Sequence, residues 1–341
     1  MDKYIRIACY VALCLAPMLA QAREQIRIVG SSTVFPFVAA AAEQFGRAGK
    51  FRTPIVEATG TGGGIKMFCE GIGDGYADIA NASRQIKTSE IELCAKHGIT
   101  AITELKIGYD GIVLANARNS PNYALTRQNL FLALARQVPI NGVLVDNPYK
   151  RWSDIDRALP NVAVEVYGPP PSSGTRDAFT ELVMLEGCAL IPEMKQALPD
   201  EKKRKAQCGA IREDGVFKEA GEDDNLIVQK LINNPDALGV FGYSFLESNA
   251  AKVKANPVDG VMPDYDAIES GSYHVARSLF VYIKNAHADT VLGLREFGVE
   301  LTSDAASGND GYLVVKGLLP LGDEDHAVMK ARAAKLTPLI P

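Results

Sequence analysis

The sequence lacks a long apolar run beyond its first residues, has a single tryptophan and four histidines, and pairs no two cysteines closely. Each shortage removes a class of function. A membrane-spanning helix needs about 20 consecutive apolar residues; Ile7–Leu19 is the longest candidate and falls short. With no C-x-x-C spacing, neither a zinc ribbon nor a dithiol redox centre is indicated. The histidines, His97, His274, His287 and His326, are scattered, and no H-x-x-x-H, G-x-S-x-G or paired-carboxylate pattern accompanies them. The usual signatures of metal-assisted or nucleophilic hydrolysis are therefore missing. Positive charge is also short: the formal net charge is −5. Such a chain has no long-range pull on nucleic acid or an anionic membrane, so any anion it binds must be held by local geometry.

What is present begins with an export signature. Lys3 and Arg6 precede the apolar Ile7–Leu19, and Ala20-Gln21-Ala22 fits a small-x-small cleavage pattern. Cleavage after Ala22 predicts a periplasmic protein. A lipoprotein signal at Cys14 fits less well, because Leu13 fills a small-residue position. Removing residues 1–22 leaves 319 of the 341 residues and moves the net charge from −5 to −6. That length predicts two domains or lobes. Cys69, Cys94, Cys188 and Cys208 remain, and three pairings are open. The local pairs Cys69–Cys94 and Cys188–Cys208, as structural disulfides, suit an oxidising compartment.

Along the chain, short β-branched runs alternate with polar turns and helical patterns. Strands are expected at Ile26–Val29, Thr53–Thr59 and Tyr76–Ile79, with a helix from Pro36. This is the pattern of a parallel sheet with crossover helices, whose ligands sit beyond the carboxyl ends of the strands. Further strands are expected at Tyr109–Ala115, Val162–Tyr167, Leu238–Phe245 and Ser278–Ile283, with a helix over Leu125–Leu134 opened by Thr126. Leu185–Asp214 reads as a surface excursion pinned by Cys188–Cys208, its Lys202–Lys205 cluster a solvated helix face.

Four segments share one design, small hydroxyl or glycine residues after a strand and before a helix. They are Gly30-Ser31-Ser32-Thr33, Thr59-Gly60-Thr61-Gly62-Gly63-Gly64, Asn81-Ala82-Ser83-Arg84 and Ser172-Ser173-Gly174-Thr175-Arg176. Any one of them is adequately explained as a helix cap. Neither the P-loop nor the dinucleotide fingerprint is matched. Four together, two ending in arginine, point to a single tetrahedral oxyanion, because helix N-termini, hydroxyls and guanidinium forks all donate to such a group.

In this order, "GSSTVFPF", "GTGGGIKMFCEG", "ADIANASR" and "SSGTRDAF" resemble the periplasmic phosphate-binding proteins of bacterial phosphate ABC transporters. "YDGIVLA", "GVFGYSFLE" and "ARSLFVYIK" follow in the family's order, so the resemblance runs from about Gln25 to Tyr312. It implies an α/β, type II periplasmic binding protein fold: two lobes joined by two crossover strands, with the ligand in the cleft. The expected division is 23–108 plus 284–341 for lobe I and 109–283 for lobe II. The implied phosphate ligands are Ser32, Thr33 and the Val34 N–H, Thr61, Ser83 and Arg84, then Ser173, Gly174, Thr175 and Arg176. No cofactor, metal or catalytic residue is expected. Inorganic phosphate and a membrane permease are the implied partners of a monomer that binds no nucleic acid.

Two positions depart from the best-known members of that family, which carry an aspartate near Ser83 and an arginine at Pro169. Arg84 and Arg176 are expected to replace the missing arginine. Asp110, Asp78 and Asp177 are the candidates for the missing proton acceptor. The other readings are a sulfate-binding protein, an extracytoplasmic phosphatase and a phosphate-sensing adhesin. His274, close to the second crossover, is the histidine nearest to relevance for the enzyme reading.

Overall fold

The computed structural model describes residues 23–171, 173–221 and 224–339; the export signature lies outside them. From the amino end run β1 (Arg27–Gly30), α1 (Phe35–Arg47), β2 (Ile55–Ala58), α2 (Thr61–Phe68), β3 (Ile79–Ala82), α3 (Thr88–Lys96) and β4 (Ile102–Ala117). Then come α4 (Arg127–Leu134), a β5–β6 hairpin (Gln137–Ile140, Val143–Asp146), α5 (Trp152–Ile155) and β7 (Val166–Gly168). A continuous helical run follows: α6 (Gly174–Phe179), a π-helical turn (Thr180–Leu185) and α7 (Glu186–Ala189). After it lie α8 (Pro192–Ala197), α9 (Glu201–Cys208), β8 (Phe217–Glu219), α10 (Asp224–Asn233), β9 (Leu238–Gly242) and α11 (Tyr243–Ser248). The chain closes with β10 (Val253–Ala255), α12 (Tyr265–Glu269), β11 (Ala276–Lys284), α13 (Leu294–Leu301), α14 (Asp304–Ser307) and α15 (Asp323–Lys335).

The strands order as β2-β1-β3-β11-β4-β9-β7-β8, with β10 also pairing β4. β1 is parallel to both β2 and β3, as the strand–turn–helix alternation requires. β4 is the element common to both halves. Its residues 102–111 pair antiparallel with β11, and Ile112–Ala115 pair with β9. β4 is buried along nearly all of its 16 residues, with Thr103, Glu104, Lys106, Asp110 and Asn116 set among apolar ones.

The apolar cores divide accordingly. Ile28, Val38, Phe45, Val281 and Phe297 belong to a core on one face of the first sheet, and Ile65, Phe68, Cys69, Cys94 and Tyr282 to one on its other face. Trp152, Phe179, Met184, Phe241 and Tyr273 belong to the core of the second. Cys69–Cys94 ties α2 to the end of α3, and Cys188–Cys208 ties α7 to α9. The excursion 185–214 is thus helical and partly packed: Met194 is buried in the second core, while Lys202, Lys203 and Lys205 face solvent.

Four elements differ most from the expected ones. The strand expected at Tyr109–Ala115 is only part of the longer β4, Ile102–Ala117. The third strand is Ile79–Ala82, because Tyr76 and Ala77 precede the point where the chain pairs with β1. The strand expected at Val162–Tyr167 pairs regularly only from Val166. β9 stops at Gly242, and Tyr243–Phe245 open α11 instead of extending the strand.

Candidate functional site

The first lobe gathers three loops around Gly30. This glycine has φ +143°, and a side chain there would collide with the Asn81 carbonyl of β3. On its other side, a side chain on Gly64 would strike the Gly30 backbone, so α2 packs directly on the end of β1. Thr61, the first residue of α2, is thereby held over the end of β3. Its Oγ1 accepts a hydrogen bond from the Ser83 N–H at 3.1 Å and lies 3.1 Å from Ser83 Oγ. In the Ser31–Val34 loop, Ser31 O accepts from the Phe35 N–H, and Ser31 Oγ accepts from the Val34 N–H at 3.4 Å.

The second lobe contributes the start of α6. Pro169-Pro170-Pro171 leads into a tight turn in which Pro170 O accepts the Ser173 N–H at 3.0 Å. Gly174 follows, so close to the first lobe that a methyl group there would lie 3.4 Å from Thr33 Cα. One turn later, Ser32 Oγ donates to Asp177 Oδ2 at 2.6 Å. The loop after β1 and the helix after β7 therefore meet face to face.

Between them, on the strands that join the lobes, lies an ion pair. Asp110 of β4 and Arg277 of β11 are direct cross-strand partners. Arg277 Nη2 donates to Thr33 Oγ1 at 2.5 Å and Nη1 donates to Glu181, which follows α6. The Arg277 side chain is 8% exposed and that of Asp110 13%. Nε and Oδ2 are 3.7 Å apart, both buried, and neither has a hydrogen-bond partner among the described residues. Burial pushes the Asp110 carboxyl above its ordinary range, against the pull of Arg277. The pair offers one unused donor and one unused acceptor at the point where both lobes and both connecting strands converge.

A family model described as a PBP superfamily domain matches residues 17–305. The chain belongs to this superfamily of periplasmic binding proteins. The protein SphX of Synechocystis is 32% identical over 318 residues, covering 91% of this chain and 82% of its own. The phosphate-binding protein PstS of Staphylococcus saprophyticus is 29% identical, covering 79% and 72%. A possible phosphate-binding protein from Planctomyces limnophilus superposes with a TM-score of 0.73 at 26% identity, over 92% of this chain and 99% of its own. The mixed α/β fold observed here is that of a periplasmic binding protein.

Of the residues singled out in the sequence, Gly174 comes up against Ser32 and Thr33, and Thr61 and Ser83 meet each other; the Val34 N–H is bonded to Ser31 Oγ and the Ser173 N–H to Pro170 O. Thr175 is half-buried in the first turn of α6. Ser83 sits in a bend rather than at a helix start, since α3 begins only at Thr88. The two arginines take other partners. Arg84 forms a two-point bond with Glu90, Nη1 at 2.9 Å and Nη2 at 2.7 Å, and this bond raises its pKa. Arg176 donates to Pro169 O at 3.0 Å and stacks 4.2 Å over the Phe217 ring, with burial lowering its pKa. Its guanidinium braces the proline turn against β8. Asp78 lies at the opposite end of β3, held by Arg23, His287 and the Arg27 N–H, and is no part of this cluster.

Arg277 escaped the sequence reading. It stands at the head of an apolar strand run, where a lone charge reads as a strand edge. The cue was the isolated charge itself, and Asp110 in the apolar "YDGIVLA" is its counterpart. Only the register between β4 and β11 reveals that the two face each other.

Proposed function

We propose that the protein captures inorganic phosphate in the periplasm and delivers it to the permease of a phosphate ABC transporter. The observation that carries this is the unsatisfied pair at the crossover, Arg277 Nε and Asp110 Oδ2. A buried donor and a buried acceptor left without partners each cost about 1–3 kcal/mol, so a ligand with both an anionic oxygen and a hydroxyl is favoured there. Hydrogen phosphate has both. Sulfate, which carries no proton at neutral pH, would leave Asp110 facing an oxyanion. The SphX and PstS relatives, and the hydroxyl-rich loops that meet at the same place, support the reading. In it, Ser32, Thr33, Val34, Thr61, Ser83, Ser173, Gly174 and Thr175 supply neutral donors and Arg277 the charge.

Binding rather than ester hydrolysis fits the histidines best. His97 Nδ1 is hydrogen bonded to Cys69 O, His287 lies between Asp78 and the Gly73 N–H, and His326 is close to Ser307 and Asp304. His274 is exposed just before β11. None of them is hydrogen bonded to the converging loops among the described residues.

Calorimetry on protein stripped of bound anion tests the proposal. One phosphate should bind per chain, with arsenate competing and sulfate releasing little heat. Strong heat with sulfate and none with phosphate would overturn it.

A further inference from the structure

Beside its unbonded Nε, both other donor groups of Arg277 are engaged, Nη2 by Thr33 and Nη1 by a carboxylate of the second lobe that occupies space an oxyanion on this guanidinium would share. Nη1 is bonded to Glu181 Oε2, and Asp177, four residues earlier on the same helical run, accepts from Ser32. Residues four apart share a helix face, so two carboxylates of one face reach across the cleft to two groups of the oxyanion cluster. They differ in how firmly they are held. The Glu181 side chain is 57% exposed, whereas that of Arg277 is 8% exposed. Glu181 can swing into water at little cost, while Arg277 is fixed by Thr33 and by its strand. The π-helical turn that starts at Thr180 surrounds Glu181; such turns interrupt α-helices frequently at functional sites.

We propose that Glu181 is a built-in surrogate for the oxyanion, which pairs with Arg277 to hold the cleft closed and must be displaced by the incoming ligand. This rests on the phosphate reading for the identity of the ligand. Two effects follow from one side chain. The bond from Glu181 to Arg277 joins the second lobe to a strand of the first sheet, so it closes the ligand-free protein. Its charge opposes a second anion in the same space, so it lowers affinity. Glu181 thus sets the affinity without itself being a ligand contact.

Two measurements on Glu181→Gln test this, with Glu181→Ala as a second variant lacking any hydrogen-bonding head. By calorimetry with inorganic phosphate, Glu181→Gln should bind at least about fivefold more tightly than wild type. By small-angle X-ray scattering without phosphate, it should have a larger radius of gyration than wild type, and phosphate should bring the two to the same value. An affinity that is unchanged or weaker, or a phosphate-free scattering curve that matches wild type, overturns the proposal. If wild-type protein gives no heat with phosphate, the phosphate reading falls instead. The scattering comparison then decides the role of Glu181 alone: expansion supports its closing contact with Arg277, and no expansion overturns it.

Discussion

Arg277 and Asp110 face each other from adjacent strands with Nε 3.7 Å from Oδ2, both atoms are buried, and neither forms a hydrogen bond among the described residues. A fully satisfied ion pair would need no third group. This one leaves a donor and an acceptor without hydrogen bonds beside Thr33, which the second lobe approaches through Gly174.

The acceptor should govern which oxyanion binds. Asp110→Asn replaces a carboxylate by a neutral amide that can donate to an ionised oxygen. We expect the preference for phosphate over sulfate to shrink at least tenfold, about 1.4 kcal/mol. The wild-type pH dependence has a defined sign. Burial raises the Asp110 pKa, so the group takes up its proton at a higher pH than an ordinary aspartate. Sulfate stays fully ionised over that range. Its affinity should therefore rise as pH falls through the raised pKa, when Asp110 changes from acceptor to donor, and Asp110→Asn should be flat. Competition calorimetry across pH 4–7 reads both, and a flat wild-type profile would contradict the role of Asp110.

The two arginines that read alike in the sequence should separate on substitution. Arg277→Gln removes the charge at the convergence of the loops and should weaken phosphate binding by at least ~2 kcal/mol. Arg176→Ala should leave the phosphate Kd within about twofold. It should instead cost ~1–2 kcal/mol of stability, through the lost stacking on Phe217 and the lost bond to Pro169 O. Urea unfolding and calorimetry on both variants check the contrast; a large loss of affinity in Arg176→Ala would reverse it.

A third prediction concerns the far end of the first lobe. Lys284 is fully buried, donates to Gly71 O, and lies near the rings of Phe68 and Tyr76. Burial pushes its pKa down to about 8, with Asp78 opposing the shift. Between pH 8 and the ordinary lysine range, the unfolded chain binds more protons than the folded one, so stability rises with pH there. Wild type should gain stability between pH 8 and 9.5 relative to Lys284→Met, which cannot titrate. Urea midpoints that move in parallel for the two proteins would show that Lys284 does not carry the effect.

Much of the site was legible because its parts are local. A hydroxyl-rich turn after a strand is written in consecutive residues, which is why the candidates Ser32, Thr61 and Gly174 could be named from sequence. The bracing of the proline turn was readable too, since Pro169–Pro171 restrict the approach to α6. What Arg176 does was not. From sequence it is an expected phosphate ligand; in the fold it turns to Phe217, 41 positions away, a contact that the pairing of β7 with β8 makes possible.

By itself, then, the sequence determined the alternation that makes parallel sheets, the loops at their carboxyl ends, and a chemistry of many neutral donors suited to a tetrahedral anion. These follow from backbone periodicity and side-chain type, which act over a few residues. Where the charge sits was decided only by tertiary structure. Cross-strand register set Arg277 beside Asp110, two residues 167 positions apart in sequence, and the meeting of two lobes brought Glu181 and Asp177 onto Arg277 and Ser32. Electrostatic partners are chosen by distance in space, and no local pattern encodes that distance.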